Sequence, residues 1–178
     1  MKSVTIHNKE FNVYLESGKI EGVIREMAEE LAKEYADKNP LFVGVLNGSF
    51  RFASDLMKHI EFPCEINFVK LTSYRGTESS GKVKDLIGFN SEVEGRHVVV
   101  LEDIVDTGHT WEYLHKLISD RKPASLKIAT LLFKPTPYLS RLPIHHFGFE
   151  IPNLFVVGYG LDYDGYGRNL NDIYQIKS

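Results

Sequence analysis

Four short apolar runs constrain this chain most. "LFVGVL" (41–46), "HVVVL" (97–101), "KIATLLF" (127–133) and "FVVGYG" (155–160) are too short for buried helices and do not alternate. They read as strands covered on both faces. "EINFVKLTSY" (65–74) and "LIGF" (86–89) are also strand-like. Helical spacing fills the gaps. Residues 19–36 place Ile20, Val23, Ile24, Met27, Leu31 and Tyr35 at three- and four-residue steps, with Ser17 expected to cap the start and Asn39-Pro40 to end the helix. Phe50, Ala53, Met57 and Ile60 suggest a second helix, and Leu114, Leu117 and Ile118 a third. "RGTESSGKVKD" (75–85) is polar and glycine-bearing and reads as a long mobile loop. Strands alternating with helices predict an α/β chain with a mainly parallel central sheet flanked by helices. Ligands of such sheets lie beyond the carboxyl ends of the strands. "NGS", "EDIVDTGHT", "KPTP" and "LDYD" all follow apolar runs there.

A chain of 178 residues suits one domain, 1–178, with a real core. A net charge of −3 and a pI of about 6.2 argue against a nucleic-acid binder with a general basic face. The single cysteine, Cys64, cannot form an internal disulfide, so a reducing, cytoplasmic setting is expected. "MKSVTIHNKEF" offers no signal-peptide core, and no window approaches the ~20 apolar residues of a membrane helix, so no membrane association is expected.

"VVVLEDIVDTGHT" (98–110) carries the chemistry. Thr107-Gly108-His109-Thr110 lies between a strand and a helix. Gly108 permits close backbone approach, and exposed amides at a helix start attract an anion. A plain helix cap is the competing reading of these four residues, and the spacing is neither a Walker loop nor G-x-G-x-x-G. Adjacent Glu102 and Asp103 would repel a bare phosphate. They make sense if the ligand also carries hydroxyls or a hard cation. A carboxylate pair also favours positive charge that develops during reaction.

This stretch resembles the phosphoribosyl-pyrophosphate motif of type I phosphoribosyltransferases: four apolar residues, two acids, two apolar residues, then D-T-G-x-T. "LNGSFRFASDL", "VKLTSYRGTESSGKVKDL", "LLFKPTP" and "FEIPNLFVVGYGLDYDGYGRNLNDIYQI" are similar to the hypoxanthine/guanine branch. The resemblance implies a central parallel sheet with a small hood formed by terminal segments. It implies a purine-salvage transferase acting on phosphoribosyl pyrophosphate and a 6-oxopurine with Mg2+, assembled as a homodimer or homotetramer. The 5′-phosphate would sit at 107–110 and the ribose hydroxyls at Glu102 and Asp103, with Asp106 as general base toward purine N7. Lys134 would donate to O6, Phe155 would stack on the base, and the backbone of Val156 would read its edge. Asp162 would lie near the purine 2-position and, with Glu102 and Asp103, serve the metal. Asn47, Gly48 and Arg168 would hold pyrophosphate, with the Leu46–Asn47 bond often cis in the family. Ser73 and Tyr74 match a loop pair that closes over the site. Many relatives carry lysine where this chain has Asn47 and His109.

Two other classes compete. A regulator of this fold that senses phosphoribosyl pyrophosphate and binds nucleic acid would not need Asp106 or Lys134. A sister transferase would take xanthine or a pyrimidine. "HH" at 145–146 could be read as a metal site, but neighbours on a strand point to opposite faces, which favours a structural role.

Overall fold

The computed structural model describes residues 2–73, 83–87 and 92–177. Along the chain run β1 (Ser3–Ile6), β2 (Lys9–Leu15), α1 (Ser17–Tyr35), β3 (Leu41–Leu46), α2 (Phe50–Met57), β4 (Glu65–Ser73) and β5 (Val83–Ile87). They are followed by β6 (His97–Val105), α3 (His109–Ser119), β7 (Ser125–Phe133), β8 (His146–Glu150), β9 (Val156–Val157) and β10 (Ile173–Ile176). No described helix is long and apolar enough to cross a membrane.

The central sheet has the order β5-β4-β3-β6-β7-β8. Five of its strands are parallel, and β5 pairs antiparallel with the edge of β4. β3 lies between β4 and β6, and Leu41, Phe42, Val43 and Val45 are all buried. That two-sided cover is why its sequence is continuously apolar. One face packs on α1 and α2 through Ile24, Leu31, Phe52 and Leu56, and the other on α3 through Trp111, Leu114 and Ile118. Each such side chain contributes roughly 1.5–3 kcal/mol when fully removed from water.

β1, β2, β10 and β9 form a second, antiparallel sheet from the two chain ends, with its own core of Ile6, Phe11, Val157 and Tyr174. This is the hood. It corrects one expectation: "FVVGYG" is not a strand of the central sheet, because only Val156–Val157 is extended and it pairs with β10. Gly158 and Gly160 then turn the chain at φ 102° and 100°. β8, β1, β2 and β10 carry no long apolar run, which is why the pattern overlooked them.

Other expectations shift by a few residues. Ser17 does not cap α1. Glu16 is the N-cap without a side-chain bond, and the Ser17 amide donates to Asp172 Oδ1 at 2.9 Å. In α2, Phe50 is exposed and Ile60 lies beyond the helix; Phe52, Ala53 and Leu56 form the buried face. β5 begins at Val83, inside the stretch expected to be loop, while 75–82 and Tyr74 lie outside the described residues. His145 and His146 part as neighbours on an extended chain do. His145 Nδ1 accepts from the Ile128 amide at 3.3 Å, while the His146 ring lies 3.5 and 3.6 Å from Glu30 and Glu34 of α1.

Candidate active site

β6 does not stop at the acids. Its pairing with β7 runs on through Glu102↔Thr130 to Val105↔Phe133, so Glu102 and Asp103 are strand residues. The chain then turns into α3 through Gly108, the helix N-cap, at φ 88° and ψ 0° with no side-chain cap. The first amides of α3 therefore have no side-chain acceptor of their own. They form the electropositive end of the helix, where an anion is favoured. A cavity of ≈ 90 Å³ is lined by Glu102, Ile104 and residues 105–111. Thr107 and Thr110 are half-buried in its wall, whereas the His109 side chain is exposed and lies 3.8 Å from Glu112. A Cβ on Gly108 would fall 2.5 Å from the Tyr138 ring and 2.9 Å from Ser140. The Leu139 amide donates to Thr107 O at 3.1 Å, which clips the segment after β7 onto the turn.

That segment also brings Lys134 to Asp106. The Lys134 amide donates to Val105 O at 2.9 Å, and its Nζ lies 2.8 Å from Asp106 Oδ2. The lysine side chain is 8% exposed and the aspartate 43%, so the pair opens outward through its carboxylate. A cation and a proton acceptor thus stand side by side at the rim of the anion turn.

Glu102 is buried, and burial, then the neighbouring Asp103 charge, hold its carboxyl well above the usual range. Its Oε2 is buried without a hydrogen-bond partner. Asp103 is pushed up to about 6, mainly by burial and further by Asp162; its own amide, that of Ile104 and Arg168 oppose the rise. Two desolvated acids with an orphaned oxygen suit a hard cation or a hydroxyl donor.

The opposite flank is assembled from distant segments. The Leu46–Asn47 peptide is cis, Asn47 is exposed, and a Cβ on Gly48 would fall 1.8 Å from Asp103 Oδ2. Gly160 approaches from the other side: its Cβ would fall 2.2 Å from Gly48 O. Arg168 donates from Nη1 to Gly160 O at 2.6 Å, and its Nη2 lies 2.6 Å from Asp162 Oδ1. Asp162 Oδ2 accepts from the Gly165 amide at 2.7 Å. Asp103, Gly48, Gly160, Arg168 and Asp162 therefore form one contiguous surface.

The remaining expected residues lie further out. Phe155 is 45% exposed and packs in the hood, 6.2 Å from the Phe11 ring and 5.8 Å from that of Tyr163. Val156 is buried beside it in β9. Ser73 ends β4. Sequence reasoning missed Tyr138, the brace behind Gly108, and Arg51, Asp55 and Tyr159, which join α2 to the segment 159–171.

The phosphoribosyl transferase domain family matches residues 12–164. The chain belongs to this family. It is 45% identical over 147 residues to a hypoxanthine-guanine phosphoribosyltransferase of Streptococcus pyogenes serotype M3, covering 82% of each chain. It is 45% identical over 167 residues, 93% of its own length, to the bifunctional protein TilS/HprT of Listeria monocytogenes, but spans only 26% of that larger protein. A solved hypoxanthine phosphoribosyltransferase from Staphylococcus aureus superposes with a TM-score of 0.85 at 40% identity, covering 93% of this chain and 91% of that one. A phosphoribosyl transferase domain fits the site just described: an anion turn after one strand and paired acids within it.

Proposed function

We propose that the chain, as one domain over 1–178, transfers 5-phosphoribose from phosphoribosyl pyrophosphate to N9 of hypoxanthine or guanine, releasing IMP or GMP and pyrophosphate. The observation that carries this reading is the 2.8 Å pairing of Lys134 with Asp106 at the rim of the anion turn. N7 and O6 of a 6-oxopurine are neighbouring acceptors, and this pair offers a donor to O6 and a base for the N7 proton. Adenine presents an amino group where O6 would be, which leaves the lysine unmatched and penalises binding. Phe155, with its exposed ring, stacks on the purine, and the Val156 backbone reads its edge.

The 5′-phosphate occupies the turn, held by amides and hydroxyls of Thr107, Gly108, His109 and Thr110. Glu102 and Asp103 accept hydrogen bonds from the ribose hydroxyls. As the bond from C1′ to pyrophosphate lengthens, the sugar gains positive charge, and these acids stabilise that state more than the ground state. Asn47, Gly48 and Arg168 receive the leaving pyrophosphate. Among the described residues no three His, Cys, Asp or Glu side chains form a preformed metal cluster. Mg2+ binds through one or two carboxylates and completes its shell with substrate oxygens. Glu102 and Asp103 would hold it. Arg168 turning to pyrophosphate would free an Asp162 oxygen for a second contact. When bound, the ion neutralises pyrophosphate charge. Ser73 and Tyr74 would close over the site and exclude water. A homodimer or homotetramer in the cytoplasm is the setting we assign, and the half-buried free thiol of Cys64 is compatible with it.

A spectrophotometric assay with hypoxanthine, guanine, xanthine and adenine, with Mg2+ present and then chelated, tests the reading. Turnover of the first two bases, lost on chelation, is expected. Absence of turnover with every base would overturn it.

A further inference from the structure

Arg51 lies on α2 two residues past the buried Ser49 that closes the 46–49 loop. Its guanidinium does not face that loop. Nη1 donates to Asn169 O at 3.1 Å and Leu170 O at 2.9 Å, Nη2 donates to Asn171 Oδ1 at 3.0 Å, and the group stands 4.9 Å from the Tyr159 ring centroid. Tyr159 is buried at φ 51° between two glycines, and its hydroxyl donates to Asp55, one turn further along α2. The clasped segment is closed on itself. The Tyr159 amide donates to Leu170 O at 2.9 Å, the Gly160 amide to Arg168 O at 3.0 Å, and Arg168 returns a bond to Gly160 O.

One helix therefore carries the 46–49 loop at its start and, from its first two turns, grips the segment that presents Arg168 and Asp162. A Cβ on Gly48 would fall 1.8 Å from Asp103 Oδ2, and Gly160 meets Gly48 so closely that a Cβ on Gly160 would fall 2.2 Å from Gly48 O. A small shift of 159–171 would open that contact and withdraw Arg168 from Gly48. A guanidinium fork can satisfy three acceptors at once, whereas an ammonium is a compact point charge without that planar spread.

We propose that Arg51 is a positioning residue for the diphosphate end of the site: by holding residues 169–171 to α2 it keeps Arg168 and Asp162 in register with Gly48. This rests on the transferase reading. It predicts that Arg51 governs affinity for the diphosphate moiety and leaves the N7 and O6 side of the purine pocket, which is all that hypoxanthine needs, unchanged, because Lys134 and Asp106 hang from β6 and β7 on the other side of the site.

The test combines direct binding with kinetics. Magnesium pyrophosphate is titrated calorimetrically into the wild type, Arg51→Ala, Arg51→Lys and Asn171→Ala, and KM for phosphoribosyl pyrophosphate and for hypoxanthine is measured on each. Expected for Arg51→Ala is a roughly tenfold rise in both pyrophosphate Kd and phosphoribosyl-pyrophosphate KM, with hypoxanthine KM within about twofold of wild type. Arg51→Lys should recover only part of the loss, and Asn171→Ala, which removes one bond of three, should show about a threefold rise. If Arg51→Ala does not fold, Arg51→Lys and Asn171→Ala decide by the same ratios. Unchanged pyrophosphate affinity, or equal rises in both KM values, would overturn the assignment. A wild type that binds pyrophosphate but turns over no base would overturn the transferase reading alone, and the variants' Kd values would still decide the role of Arg51.

Discussion

The two flanks of this site are built on different principles. The flank assigned to phosphate and to N7 and O6 of the purine comes from two short stretches, residues 102–110 and 134–140, joined by neighbouring strands β6 and β7. The flank assigned to pyrophosphate comes from residues 46–51 and 159–172, more than a hundred positions apart. The first needs only a strand, a left-handed glycine and a helix start. The second exists only once the hood has docked on α2. A ligand that spans both is therefore held by one local device and one tertiary device, and substitutions should hurt them differently.

The largest effect should come from the local flank. Asp106→Asn is expected to lower kcat by roughly 100-fold or more with little change in either KM, as loss of a general base requires. A small kcat effect would return Asp106 to the role of a helix-start residue. Arg168→Ala attacks the other flank. Loss of a charged, bidentate donor should raise KM for phosphoribosyl pyrophosphate by about 30-fold, close to 2 kcal/mol, while hypoxanthine KM stays near wild type. Equal changes in the two constants would show that the flanks are not separable.

Gly108→Ala tests whether the turn is self-supporting. A methyl there meets the Tyr138 ring at 2.5 Å in a backbone region costly for alanine. About 1–2 kcal/mol of destabilisation is expected, read as a Tm lower by about 3–6 °C, together with a raised phosphoribosyl-pyrophosphate KM. The smallest effect concerns Glu102. Its folded carboxyl titrates above its unfolded value because of burial and Asp103, so the folded state is favoured below the unfolded pKa and loses that advantage as pH rises through the folded one. Glu102→Gln should therefore raise Tm at pH 8 without Mg2+, by about 3 °C, with the gain vanishing toward pH 4. A Tm gain that persists unchanged at pH 4 would show that the carboxylate charge is not the cause.

The short apolar runs revealed β3 and β7 to within two residues because those strands are covered on both faces. The apolar run "HVVVL" predicts a strand that ends at Leu101. β6 continues to Val105 because β7 keeps pairing beside it. The anion turn stands out in the sequence as a run of small neighbouring residues between a strand and a helix, with a plain cap as its competitor, whereas the roles of the 46–49 loop and Asp106 rest on the resemblance. The pairing of Lys134 with Asp106 is not legible in the sequence: the resemblance gives each a role toward the purine but no contact between them. Tyr138, Arg51, Asp55 and Tyr159 gave no such signal. An arginine or tyrosine on a helix or in a turn has no visible partner until distant backbone carbonyls are brought to it.

By itself the sequence determined the parallel α/β core and the turn from β6 into α3, since hydrophobic burial over short runs and the backbone freedom of Gly108 act over a few residues. Tertiary structure alone decided where the hood sits. It seats Asp172 at the start of α1, Gly160 against Gly48 and residues 169–171 under Arg51. Such contacts depend on close approach and hydrogen bonds between segments that share no local pattern, so only the folded chain can specify them.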